Sequence, residues 1–322
     1  MDVFTIPTHG SVAAMPRCLL LTWLLALGWS AHAASTSNAD DITPTNLQNY
    51  GLSMLMDADR DRRGLDAADG LWSSVSRLQS QPRGTLSLQA TVAHHSYWRV
   101  GQIGTVESAP NVRFGVDAGV YHGHRHAQDA ETLQPQPSAG GHQLGGNFLW
   151  ANAPRGQENQ YASMTLALAR VSLRSTLPDA TLNAAEAALG YGRVFRAAIS
   201  TNASVQWVPN VKIAASFICR EGHQSSVQRC RRAAATQWES RLTWVERGVG
   251  VSVQPFFNLA YRSGGRDGIE EMSDATARQG VSYAFGAEVV GDSGLAVRGT
   301  LDVARRYSAS EFGGGVEVHH RW

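Results

Sequence analysis

The sequence predicts an all-β fold, a transmembrane antiparallel β-barrel of about 12 strands preceded by an N-terminal α-helix. Three observations predict it. From Gly84 to the last residue, apolar and polar side chains alternate with period two. Several of these runs extend over about 10–14 residues, longer than the usual globular strand. The connections between them sort into short ones and long polar ones. Composition agrees: among 322 residues only 17% are charged, and there are 32 Gly, 9 Trp, 8 Tyr and 9 Phe. A mean hydropathy of −0.23 excludes a bundle of apolar membrane helices. The 28 basic residues balance the 27 acidic ones, so no net field favours nucleic acid, which is excluded as a partner.

The first element is a targeting segment. Met15-Pro16-Arg17 precedes the apolar run Cys18–Ser30, which is followed by Ala31-His32-Ala33. A basic start, a short apolar stretch and a small-x-small site make a cleaved signal peptide over residues 1–33. The run is shorter than the roughly 20 residues a spanning helix needs. Met1 and Met15 are alternative starts. Residues 34–42 form a short polar segment.

Thr43 and Pro44 suit the start of a helix, as cap and first helical residue. A helix is expected over 44–63, within a linker and pore-helix region spanning 43–80. Residues 65–80 read either as more helix or as a short strand. Asp57, Asp59, Arg60, Asp61, Arg62 and Arg63 make the helix too polar for lipid and suited to a wet pore.

Strands are expected at 85–98, 100–107, 111–124, 142–152, 159–174, 182–195, 200–218, 236–247, 249–263, 280–290, 295–307 and 311–322, a barrel domain over 84–322. The run Val112, Phe114, Val116, Ala118, Val120 alternating with Arg113, Gly115, Asp117, Gly119 is representative. A soluble sheet would turn its apolar face inward. A membrane barrel turns it to lipid and its polar face to a lumen. Strand length favours the second arrangement, because a tilted crossing needs about 9–11 residues. The lumen would then hold Arg113, Asp117, Lys212, Glu239, Arg241, Glu288, Arg298 and Asp302, with Glu186 and Glu317. Trp98, Trp150, Tyr261 and Tyr307, near strand ends, fit interfacial girdles.

The short connections are 197–199, 246–248 and 291–294; the long ones are 127–140, 219–235 and 264–279. Short turns on one side and long loops on the other match an outer-membrane barrel, and a soluble sandwich has no reason to sort them. Cys219 and Cys230 lie in the long polar stretch 219–235. In an oxidising compartment such a pair closes a loop as a disulfide on the external side, and the ligand spacing of a metal site is missing.

The closing block reads GVSYAFGAEVVGDSGLAVRGTLDVARRYSASEFGGGVEVHHRW, with Phe312, Val316, Val318, His320 and Trp322 on one face of the last strand. A helix leading into a strand series that ends in this block resembles the translocator domain of autotransporters, the type V secretion class. The likeness covers residues 43–322. It implies a 12-stranded barrel with the helix through its pore, the tail of a passenger carried outward. It implies as partners the outer-membrane lipid and the barrel assembly machinery, which reads a C-terminal strand such as the one ending at Trp322. His320 departs from the apolar or aromatic residue usual there. Almost nothing lies between the cleavage site and Thr43, so the passenger is nearly absent from this chain.

No catalytic, cofactor-binding or metal-binding residues are assigned, and no enzymatic activity is expected. Gly291-Asp292-Ser293-Gly294 resembles a serine-protease nucleophile loop but reads as a turn. The histidines of Tyr121-His122-Gly123-His124-Arg125-His126 read as a solvated strand end. Asn46 and Asn49 lack the surroundings of a passenger-release site, and Glu270-Glu271 falls in a loop. A stand-alone porin or a lipid-modifying outer-membrane enzyme is the alternative reading.

Overall fold

The computed structural model describes residues 69–82, 92–126, 138–174, 180–222, 225–264, 280–306 and 309–321. The expected signal peptide, the helix at 44–63, Asn46, Asn49, Glu270, Glu271, Tyr307 and Trp322 lie outside them. The described chain is all β. Its strands are β1 (Gly70–Pro82), β2 (Val92–Val106), β3 (Ala109–His126), β4 (Ser138–Ala151), β5 (Gln160–Arg174), β6 (Ala180–Arg193), β7 (Phe195–Ala198), β8 (Ala203–Gly222), β9 (Ser225–Arg247), β10 (Val251–Gly264), β11 (Gly280–Gly291), β12 (Leu295–Arg306) and β13 (Ala309–Arg321).

Apart from β6 and β7, which do not pair with each other, each strand pairs antiparallel with its sequence neighbours, and two further pairings matter. β6 pairs with β8 from Ala180↔Gly222 to Gly192↔Asn210, and β7 continues at Phe195↔Trp207 in the same register. β6 and β7 are therefore one stave interrupted at Val194, so thirteen segments make a 12-stranded sheet. β1 pairs with β13 from Gly70↔Arg321 to Pro82↔Ala309, which closes the sheet into a barrel. Closure leaves no strand edge, so every backbone ladder is satisfied within the protein. Close backbone approach at this seam explains Gly313: a Cβ there would lie 2.8 Å from Leu78 Cα.

The polarity of the barrel is the inverse of a soluble protein. Its outward face exposes Leu144 (63%), Leu168 (59%), Ile213 (63%) and Leu301 (58%), whereas Arg113 (0%), Arg298 (2%) and Glu317 (5%) are buried inward. Such a band around the whole circumference is stable only against hydrocarbon. Trp150, next to the short-turn end of β4, is exposed as a girdle residue should be. Trp98, expected at a strand end, is instead exposed in the middle of β2, because β2 runs on to Val106.

Both ends of the chain's barrel, Gly70 and Arg321, lie at the rim with the connections 107–108, 152–159, 199–202, 248–250 and 292–294. Within these, Gly250 (φ 75°) and Gly294 (φ 79°) supply the left-handed backbone of tight turns. The opposite rim carries 83–91, 127–137, 175–179, 223–224, 265–279 and 307–308.

Three expectations are corrected. The barrel begins at Gly70, not Gly84, because the ambiguous stretch 65–80 supplies strand β1. Residues 100–107 are no separate strand but the second half of β2, so the gained and lost strands cancel. The stretch 219–235 is no loop: β8 runs to Gly222 and β9 begins at Ser225, and Cys219 opposes Cys230 directly across the hairpin. The two are disulfide-bonded, with Cα atoms 4.0 Å apart.

Candidate functional site: the charged lumen

Alternation places one side chain in two toward the axis, so charged residues on many strands converge there. Arg113, Asp117, Glu186, Arg241, Glu288, Arg298 and Glu317 are all buried on this face, as the sequence predicts. Lys212, Glu239 and Asp302 share it, half-buried.

The longest network runs across seven strands. Arg298 on β12 donates to Glu288 on β11 at 2.7 Å and lies 3.8 Å from Glu317 on β13. Glu317 in turn hydrogen-bonds His319. The His319 ring neighbours Trp72 on β1 at 6.4 Å, and the Arg99 guanidinium of β2 lies over both Trp72 (5.4 Å) and Tyr97 (5.1 Å). On the other flank Phe256 of β10 receives Arg298 at 5.5 Å and Arg241 of β9 at 4.6 Å. Cations here are held by carboxylates and by ring faces in alternation, which limits the desolvation cost of burying them.

Space for these rings comes from small residues on neighbouring strands. A Cβ at Gly119 would stand 2.7 Å from Arg99 Cγ and 2.8 Å from Tyr97 Cε2. The lumenal glycines are therefore sockets for the inward-pointing aromatics and arginines.

A second cluster closes the short-turn mouth. Glu158, in the connection 152–159, is 2% exposed and lies 3.7 Å from Arg113 and 3.5 Å from Arg196. Arg196 also donates to the Glu158 backbone carbonyl. The turn is pinned by Asn152 Oδ1, which accepts from the backbone N–H groups of Asn159 and Gln160 at 3.1 Å each. At the same rim Asp69 accepts from the Thr105 N–H (3.0 Å) and hydroxyl (2.8 Å), anchoring the chain where it enters β1. A third cluster joins β6, β8 and β10: Glu186 accepts from Ser216 at 2.8 Å and lies 3.4 Å from Arg262.

Sequence reasoning missed Glu158, Arg99, Trp72 and Phe256. Glu158 fell between two expected strands, and the Asn152–Asn159 bracket around Pro154 and Gly156 was its only signal. The other three interrupt the polar face with large groups that the period-two template does not score. The Gly291–Gly294 segment is the β11–β12 turn, with the Gly294 N–H donating to the Gly291 carbonyl at 3.2 Å. His122 and His124 point outward, not into the lumen, and His124 stacks on His94 at 5.4 Å. Among the described residues no group of three or more His, Cys, Asp or Glu is arranged to hold a metal ion. On β13, Phe312, Val316 and Val318 are exposed on the lipid-facing side together with His320.

No protein-family model matches the sequence, and no curated protein matches it. Solved structures do. The transport unit of the autotransporter AIDA-I from Escherichia coli is 12% identical, with a TM-score of 0.61 over 87% of this chain and 99% of that one. The beta domain of the Bordetella autotransporter BrkA is 15% identical, with a TM-score of 0.54 over 79% of this chain and 100% of that one. The translocator domain of the autotransporter NalP from Neisseria meningitidis is 14% identical, with a TM-score of 0.52 over 86% of this chain and 95% of that one. At such low identity it is the fold alone that is shared: the chain has the fold of an autotransporter translocator domain.

Proposed function

We propose that the chain is an outer-membrane translocator barrel that anchors, and carries outward through its lumen, the segment preceding β1. The observation that carries this reading is the entry point of the chain. The backbone enters β1 at the short-turn rim, tied there by Asp69 to Thr105 and paired beside the C-terminal Arg321. A segment that begins on the long-connection side must then pass the lumen to reach Gly70. Buried charges of both signs line that path and suit the mixed charge of Asp57–Arg63. The reading gives the chain no catalytic chemistry of its own. It makes outer-membrane lipid its solvent, and the barrel assembly machinery its partner through the lipid-facing residues of β13.

The test is a peptide epitope inserted between Ala33 and Thr43 of the full chain. The reading expects the epitope to be labelled by antibody on intact cells and removed by added protease, while the barrel fractionates with outer membranes. An epitope reached only after the outer membrane is permeabilised overturns it.

A further inference from the structure

The outward faces of β1–β5 carry a feature that the translocator reading does not use. Three adjacent cross-strand rows run over these strands toward the long-connection rim. The first joins Val75, Trp98, Val120, His142 and Arg170. The second joins Arg77, Ser96, His122, Gly140 and Ser172, and the third Gln79, His94, His124, Ser138 and Arg174. Apolar side chains end within the first row and basic ones replace them.

Two further observations mark this belt as a binding surface. Arg77, Arg170 and Arg174 are exposed, and none has an ion-pair partner among the described residues. The sequences of β1–β5 contain a single carboxylate, Asp117, and it is buried in the lumen, hydrogen-bonded to Gln143. On β10, β11 and β13 the outward residues toward the same rim are Tyr261, Tyr283 and Phe312, and on β9 an arginine, Arg232, is exposed there as well. Glu221 on β8 bounds the belt, already engaged by the Asn183 amide at 2.9 Å.

The position decides the ligand. The belt sits directly beyond the apolar band, at the depth where a bilayer presents its headgroups. Guanidinium forks match phosphate oxygens, and imidazole N–H groups add donors. A patch of Arg and His without a neighbouring acid among the described residues attracts anionic headgroups over zwitterionic ones. We propose that the outward face of β1–β5 is a docking surface for the phosphate-bearing headgroups of anionic lipid in the leaflet at the long-connection rim. This rests on the membrane-barrel reading but not on transport of a passenger.

The test uses the full folded chain in maltoside micelles doped with phosphatidic acid or phosphatidylcholine, with retained lipid read by native mass spectrometry. Phosphatidic acid should be retained about tenfold more than phosphatidylcholine. The triple variant Arg77→Gln/Arg170→Gln/Arg174→Gln should lose that preference, and Arg174→Gln alone should lose part of it. Arg193→Gln, outward at the opposite rim, should keep it. Equal retention of the two lipids by the natural chain, an unchanged preference in the triple variant, or displacement of the lipid by equimolar inorganic phosphate overturns the proposal. Heat-modifiable migration of each variant on gels reports the barrel separately, so a failed barrel and a failed lipid surface are distinguishable. Should the triple variant not fold, the single variant decides.

Discussion

Cys219 and Cys230 face each other across β8 and β9 as a directly opposed pair, with Cα atoms 4.0 Å apart. The bond therefore staples two strands that are already hydrogen-bonded along their length. Chain-entropy reasoning assigns a closed loop of this size about 3 kcal/mol, but a paired hairpin has less freedom to lose. Replacing both cysteines with Ser should leave the heat-modifiable barrel intact and lower its unfolding midpoint in detergent by less than that figure implies. Failure of the variant to assemble would show that the staple acts during folding.

The Arg298 network makes a sharper prediction. Removing the cation strands Glu288 and leaves Glu317 to His319 in a site from which water is largely excluded, and breaking a buried pair in this way costs about 3–5 kcal/mol. Arg298→Met should cause a loss of that order in urea unfolding from detergent. Glu288→Gln keeps the volume and one hydrogen-bond acceptor, and should cost clearly less. Equal losses would mean that packing, not charge, dominates at this point.

Gly119 tests the socket arrangement. Val at this position forces Arg99 and Tyr97 out of their packing, and overpacking typically costs about 1–3 kcal/mol. The double variant Gly119→Val/Arg99→Ala should recover part of the loss. Additive losses in the double variant would contradict the arrangement.

Deleting residues 43–63 tests what occupies the lumen. If this charged segment runs inside, single-channel conductance in planar bilayers rises and thermal stability falls. Unchanged conductance and melting would place the segment elsewhere.

Much of this architecture is legible in the sequence because the bilayer imposes a severe pattern. Phe114 and Val116 must face lipid while Arg113 and Asp117 must not, and no other environment makes that alternation so regular. The pattern fails where side chains serve something else. β1 puts Trp72 inward and Ser73 and Arg77 outward, so its residues read as either helix or strand. β8 and β9 continue beyond the apolar band, where both faces are polar and a strand looks like a loop. The lumenal network was readable as a set of charges but not as pairs, because partners such as Arg262 and Glu186 are set by closure, not by spacing along the chain.

Closure also has a consequence in time. The seam joins the first strand to the last, with Gly70 opposite Arg321. Strand β1 waits for its second partner until β13 has been synthesised, so the circle cannot form while the chain is shorter than that. Pairings of such sequence separation are slow to find, and β1 and β13 remain sticky, unpaired edges until they meet. Loss of β13 should thus be far more harmful than its length suggests: it yields an open sheet with two permanent edges, prone to aggregation and to proteolysis.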